Sequence, residues 1–210
     1  MRRFQARPAF FLLGWLFVSA AAPAEPGAQT VEEPRNEVGE IDRRGDQFVH
    51  RPSGYIFPAT LGEMPARKTY TYGPGDASVY YTLLGGGKGD PWLSLYLYPV
   101  TRPLADEIKD VELALVDRMQ GSVSRPAGLP ALPSGVVQKW YGAAIEGTPV
   151  TTGYRLARSG DWYIKVRLTI PTSGGDAGFN RAWKALEAVR WTIDAPVAPV
   201  QAAATTSLAL

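Results

Sequence analysis

The chain has 210 residues, with 22 Lys and Arg against 20 Asp and Glu, 45% hydrophobic residues, one His and no Cys. That length and apolar content suffice for one buried core, and they exclude a wholly disordered or collagen-like chain. The missing Cys excludes a disulfide framework, an Fe–S cluster, a thiol nucleophile and a cysteine-ligated zinc site.

The first residues read as an address. Arg2, Arg3 and Arg7 precede an apolar run from Ala9 to Ala22, which closes on Ala22-Pro23-Ala24. A basic head, an apolar stretch of about 7–15 residues and a small-x-small site describe a secretory signal peptide. The run falls short of the ~20 residues a spanning helix needs. Residues 1–24 are therefore expected as a cleaved signal, the mature chain as periplasmic or secreted, and no transmembrane segment is expected after cleavage. Without its three arginines the chain keeps 19 basic and 20 acidic residues, a net of −1, so nucleic acid is not an implied partner.

Residues 25–47 hold seven acidic and three basic residues and little apolar content. Such a stretch cannot offset the entropy of ordering and is expected as a flexible acidic arm. Residues 194–210, rich in Ala, Pro and Thr, are expected as a disordered tail. Between them, residues 48–193 form the expected single domain.

Six strands are predicted in it. Thr69–Tyr72, Ser78–Leu84, Trp92–Val100, Val136–Ile145 and Val150–Ala157 are rich in Val, Tyr, Trp and Leu, between Gly, Pro and Asp clusters. Trp162–Ile170 is the clearest, alternating Trp162, Ile164, Val166, Leu168 and Ile170 with Tyr163, Lys165, Arg167 and Thr169. Gly85–Pro91 reads as a hairpin turn rather than a phosphate loop, because Lys88 is followed by Gly89 and the G-x-x-x-x-G-K-[ST] frame is absent. A three-residue loop of Arg158, Ser159 and Gly160 would pair Leu156 with Trp162, Tyr154 with Ile164 and Thr152 with Val166. That register puts Arg155, Tyr163, Lys165 and Arg167 together on the other face.

Two helices complete the expectation. Leu104, Ile108, Val111, Leu115 and Met119 recur at helical spacing within Pro103–Gln120. Phe179, Trp183, Leu186 and Val189 mark a second, with Asp176 as candidate N-cap and a stop near Trp191. The expected class is α+β: a largely antiparallel sheet of about six strands, with one helix on each face to explain why Leu93, Leu95 and Leu97 are backed by Trp92, Tyr96 and Tyr98.

GYIFPATLGEMPARKTYTYG (Gly54–Gly73), SVYYTLL, LSLYLYPV, a helix, the segment GDWYIKVRLTIP and the last helix FNRAWKALEAVRW resemble, in that order, exported bacterial proteins with a PsbP-like α/β/α sandwich. The likeness covers about Ser53 to Ile193. It implies an accessory or binding protein and carries over no catalytic residue.

The catalytic inventory is thin. There is no G-x-S-x-G and no S-x-x-K, and a Ser–His–acid triad would have to use His50, which reads as an ordinary residue where the arm joins the domain. One His and no Cys leave only oxygen ligands, without EF-hand spacing, so no metal site and no cofactor are expected. Asp106, Glu107, Asp110 and Glu112 read as a solvated helix face. Two constellations remain: the cationic and aromatic set Arg155, Tyr163, Lys165 and Arg167, which could hold an anion, and the stripe Trp92, Tyr96 and Tyr98, which could line a pocket or pack under a helix. The functional expectation is a non-enzymatic exported binding or accessory protein whose partner is an envelope protein or a small anionic ligand. The alternative is a secreted hydrolase built from dispersed residues. Intact-mass analysis of protein recovered from outside the cytoplasm should find a chain beginning at Glu25; a chain retaining Met1–Ala24 would refute cleavage.

Overall fold

The computed structural model describes residues 39–119 and 121–193. The expected signal peptide and C-terminal tail, and residues 25–38 of the expected arm, lie outside the described residues.

Eight strands form one antiparallel sheet. They are β4 (Thr60–Leu61), β5 (Met64–Gly73), β6 (Asp76–Thr82), β7 (Trp92–Pro99), β8 (Ser122–Ser124), β9 (Val136–Ile145), β10 (Thr148–Ser159) and β11 (Trp162–Pro171), in spatial order β4-β5-β6-β7-β11-β10-β9-β8. The six expected strands are its six long ones. The two additional strands are the edges β4 and β8, of two and three residues, too short to show a period.

A second sheet of three strands, β1 (Ile41–Arg44), β2 (Gln47–His50) and β3 (Ile56–Phe57), precedes it. Residues 41–47 thus lie in a hairpin rather than in an arm. Gly45 makes its turn at φ 63°, and Ile41 and His50 are buried on one face of it and Val49 on the other.

Helix α1 (Leu104–Met119) follows β7, and α2 (Gly175–Glu187) follows β11. Leu93, Leu95, Leu97, Ile164, Val166, Leu168 and Ile170 pack in one cluster with Ala182, Trp183, Ala185 and Leu186 of α2. Tyr98, Tyr154, Leu156 and Tyr163 pack on the opposite face with Val111 and Leu115 of α1. The doubly apolar central strand is covered from both sides, as its pattern implies. The α2 N-cap is Gly174, not Asp176, which lies in the first turn; a short 3-10 segment, Thr172–Gly174, intervenes after β11 and moves the helix start back.

The β10–β11 register differs from the expected one. Ser159 pairs with Trp162, Ala157 with Ile164, Arg155 with Val166 and Tyr154 with Arg167. The connection is a two-residue turn, Gly160-Asp161, whose first central residue takes φ 60°, the position where Gly is favoured in tight hairpins. The shift is odd, so it exchanges the faces of β10: Arg155 joins the α2 side, and Tyr154 and Leu156 join the α1 side. Arg155 is only 1% exposed there. It is tolerated because Nε donates to Gln138 Oε1 at 3.0 Å and a terminal nitrogen to the Pro130 carbonyl at 2.8 Å.

Gly153 shows how closely that side is packed. It pairs with Trp140, and a Cβ added there would stand 2.5 Å from Cδ2 of the indole and 2.6 Å from the Lys139 carbonyl. Trp140 in turn meets Trp183 edge-on, centroids 5.3 Å apart. Gly153→Ala should therefore cost about 1–3 kcal/mol by overpacking, measured by urea unfolding. Gly73→Ala, where a Cβ meets nothing within 4 Å, should be nearly neutral. Equal stabilities of the two variants would refute this account of the Trp140 contact.

Candidate ligand-binding face

The α1 face is covered unevenly. Helix α1 packs over β9 and β10. Two carboxylates fasten it. Both oxygens of Glu107, 3% exposed, are used: the Tyr98 hydroxyl donates to Oε1 at 2.7 Å and Arg102 Nε to Oε2 at 2.8 Å. Arg102 also pairs with Asp110. Glu112 accepts Lys139 Nζ at 2.7 Å and the Tyr154 hydroxyl at 3.0 Å. Glu107 and Glu112 were expected on a solvated helix face; instead they join helix to sheet, because long acidic side chains can reach back to a sheet rich in tyrosine hydroxyls.

Beyond α1 the same face runs on across β11, β7, β6 and β5. Pairing places Tyr70, Ser78, Tyr96 and Lys165 in one transverse row, and Lys68, Tyr80, Ser94 and Arg167 in the next. Tyr70, Tyr72, Tyr80, Trp92, Tyr96, Lys165 and Arg167 are all half-buried there. Tyr70 and Tyr72 have ring centroids 6.5 Å apart, and Tyr72 and Tyr96 6.2 Å. The Lys165 ammonium lies 4.7 Å from the Tyr96 centroid and 4.8 Å from that of Tyr98, a double cation–π contact.

Burial holds the Lys165 pKa below its ordinary value, against the upward pull of Glu107 and Asp76. Burial raises the Asp76 carboxyl to about 6; Lys165 opposes the rise and Glu107 adds to it. Tyr72 is raised to about 12 by burial, with the Ser78 hydroxyl, 3.1 Å away, pulling the other way. A lysine whose charged form burial disfavours and a carboxyl raised to about 6 thus share an aromatic surface.

Of the four residues expected to act together, only Lys165 and Arg167 lie on the open part of this face. Tyr163 lies on the same side but is fully buried, its hydroxyl donating to the Arg102 carbonyl at 2.8 Å. Arg155 is on the other side of the sheet. The aromatic stripe divides: Tyr98 is buried under α1, while Trp92 and Tyr96 are half-exposed. Tyr70, Tyr72, Tyr80 and Asp76 were missed, although Lys68, Tyr70 and Tyr72 alternate visibly along β5.

His50 is fully buried where the small sheet meets the turns of the large one. Its Nδ1 is 2.8 Å from Ser53 Oγ, which also accepts the Tyr55 amide at 3.1 Å, and its ring meets Trp162 edge-on at 4.9 Å. The Ser–His contact is a turn motif with the serine oxygen already engaged and buried. Burial lowers the imidazole pKa to about 4, against Glu40 and the Gly75 backbone. Among the described residues no three His, Asp or Glu side chains come together to hold a metal, and no helix is long and apolar enough to cross a membrane. The chain matches no protein-family model and no curated protein.

These two shifted groups act oppositely on stability. His50 stays neutral in the fold down to about pH 4 while the unfolded chain protonates near 6.5, so acidification through that window removes about 3 kcal/mol. Asp76 binds its proton more tightly in the fold, so its contribution grows as pH falls from 6 toward 3.8. In urea unfolding between pH 4 and 6.5, His50→Gln should flatten the acid loss and Asp76→Asn should steepen it. Parallel pH profiles for wild type and both variants would refute the assignment.

Proposed function

We propose that the mature chain works outside the cytoplasm as a non-enzymatic binding or accessory module that takes a small anionic ligand on its tyrosine-rich sheet face. The observation that carries the proposal is Lys165: a half-buried lysine whose ammonium lies between two aromatic rings, on the part of the sheet that α1 leaves open. Such a cation is positioned by packing, so an arriving anion meets a group already ordered and partly desolvated. The basic and apolar leader before Ala24 supports export. A helix on each face of an antiparallel sheet supports the PsbP-like α/β/α sandwich, a group the chain resembles and in which accessory proteins without a shared catalytic motif predominate.

Calorimetric titration with citrate and inorganic phosphate tests the proposal. Lys165→Gln should weaken binding about tenfold, the loss of about 1.4 kcal/mol expected of one charge-assisted contact. Arg155→Gln should leave affinity unchanged and lower stability instead, because it strips two hydrogen bonds from the buried side. Wild-type affinity in Lys165→Gln, or no binding of either anion, would refute it.

A further inference from the structure

Strand β5 is ten residues long, yet β4 pairs only with Met64 and Pro65 of it. Among the described residues no strand runs along the outer side of residues 66–73. Backbone at such an edge is a template for another strand. The features that blunt an edge are gathered at the two ends of this one. Its register with β6 shifts between Ala66 and Lys68 and again between Thr71 and Gly73, and Pro65 and Pro74 stand just outside. Between the shifts, Lys68, Thr69, Tyr70 and Thr71 pair with β6 without a break. Thr and Tyr are residues that pack well across strands.

We infer that β5 joins β5 of a second copy of this chain, antiparallel, about a two-fold axis through Tyr70. The inference goes beyond the proposed function and does not rest on it. A two-fold axis perpendicular to the sheet keeps each face on its own side, so it passes through a residue and pairs the residues equally spaced about it. Charge decides which residue. An axis through Arg67 or Lys68 sets a cation opposite its own copy, which is destabilising. An axis through Tyr70 sets Lys68 opposite Tyr72, Thr69 opposite Thr71 and Tyr70 opposite itself. Those are a cation on a ring, a hydroxyl pair and an aromatic pair, each a favourable combination across strands. The same register carries the exposed Lys68 toward the end of the second copy's β6, where Asp76 lies beside Gly73. An axis through Thr69 leaves Tyr72 opposite Ala66 and loses the aromatic pair. A strand of another protein has no reason to offer a ring to Lys68 and a hydroxyl to Thr69, whereas β5 read backwards offers both. Residues 68–72 of each copy make a small interface, so the dimer forms reversibly and only as the protein is concentrated.

Because the chain has no Cys, single cysteines introduced into the mature protein report directly on contacts between copies. Residues facing each other across the axis have Cα atoms about 4.5–5.5 Å apart, within disulfide range. On mild oxidation Tyr70→Cys should form a covalent dimer, while Lys68→Cys and Tyr72→Cys should cross-link poorly alone and readily when mixed. Val123→Cys, at the other end of the sheet and 71% exposed, should stay monomeric and measures random collision. In sedimentation equilibrium the chain without cysteine should pass from monomer to dimer as its concentration rises. Tyr70→Asp, which sets two carboxylates face to face, should weaken the association about tenfold. Circular dichroism and urea unfolding establish that each variant is folded, and Tyr70→Lys serves where Tyr70→Asp is not. A monomer at every concentration, with Tyr70→Cys cross-linking no faster than Val123→Cys, would overturn the inference. So would a dimer that the charged variants leave intact, or one that forms only after residues 25–38 are deleted, which would give the edge to that segment instead.

Discussion

The two-residue turn at Gly160-Asp161 determines which side of the sheet every β10 side chain meets. With Arg155 facing Val166, the α2 side receives one charged group among carbon, and that group is engaged by Gln138 and by the Pro130 carbonyl of the β8–β9 connection. In return Tyr154 and Leu156 reach the α1 side, where Tyr154 becomes an anchor for Glu112. The two helices are held by different chemistry as a consequence. Helix α2 lies on Leu, Ile, Val and Trp, and ion pairs of Arg181 with Asp90 and of Lys184 with Glu63 sit at its rim. Helix α1 lies on tyrosines and is fastened by carboxylates whose hydrogen bonds are made in partly buried surroundings.

That difference creates the open face. A helix held by polar anchors at Arg102, Glu107 and Glu112 is tied to the sheet region that can answer them, chiefly Tyr98, Lys139 and Tyr154. Farther along the same face, Tyr70 and Tyr72 of β5 and Tyr80 of β6 stay half-exposed. Lys165, half-buried, sits at the border of the covered and open regions, close enough to Glu107 to feel its charge.

The elements with several periods of alternation were legible from residues alone. Trp162–Ile170 shows four clean alternations, and the α1 and α2 apolar positions fall at helical spacing; the structure has a strand and two helices there. The edges β4 and β8 were not legible because two or three residues contain no period. The site was misassembled for a narrower reason. A three-residue loop keeps Arg155 off the apolar face; in the structure it lies on that face opposite Val166, where the cost is offset by a side-chain amide and a backbone carbonyl supplied by residues 17 and 25 positions away. Long-range satisfaction of a buried guanidinium leaves no mark on local pattern. Nor does the helix that covers Tyr98 and spares Tyr96, since both residues occupy equivalent positions in the same alternation.

An open sheet of eight strands has two exposed ends, and unpaired backbone at such ends is a template for joining another chain. In this fold the end strands β4 and β8, of two and three residues, pair with only Met64–Pro65 of β5 and Trp140–Gly142 of β9, while β7, β11 and β10 are paired along both edges. The long, apolar, β-rich segments that would propagate most readily as intermolecular ladders, such as Trp162–Pro171, are flanked on both sides by their own neighbours. Protection of these central strands from edge-to-edge joining is thus built into the order of the strands, and it persists where surface charge is screened by salt.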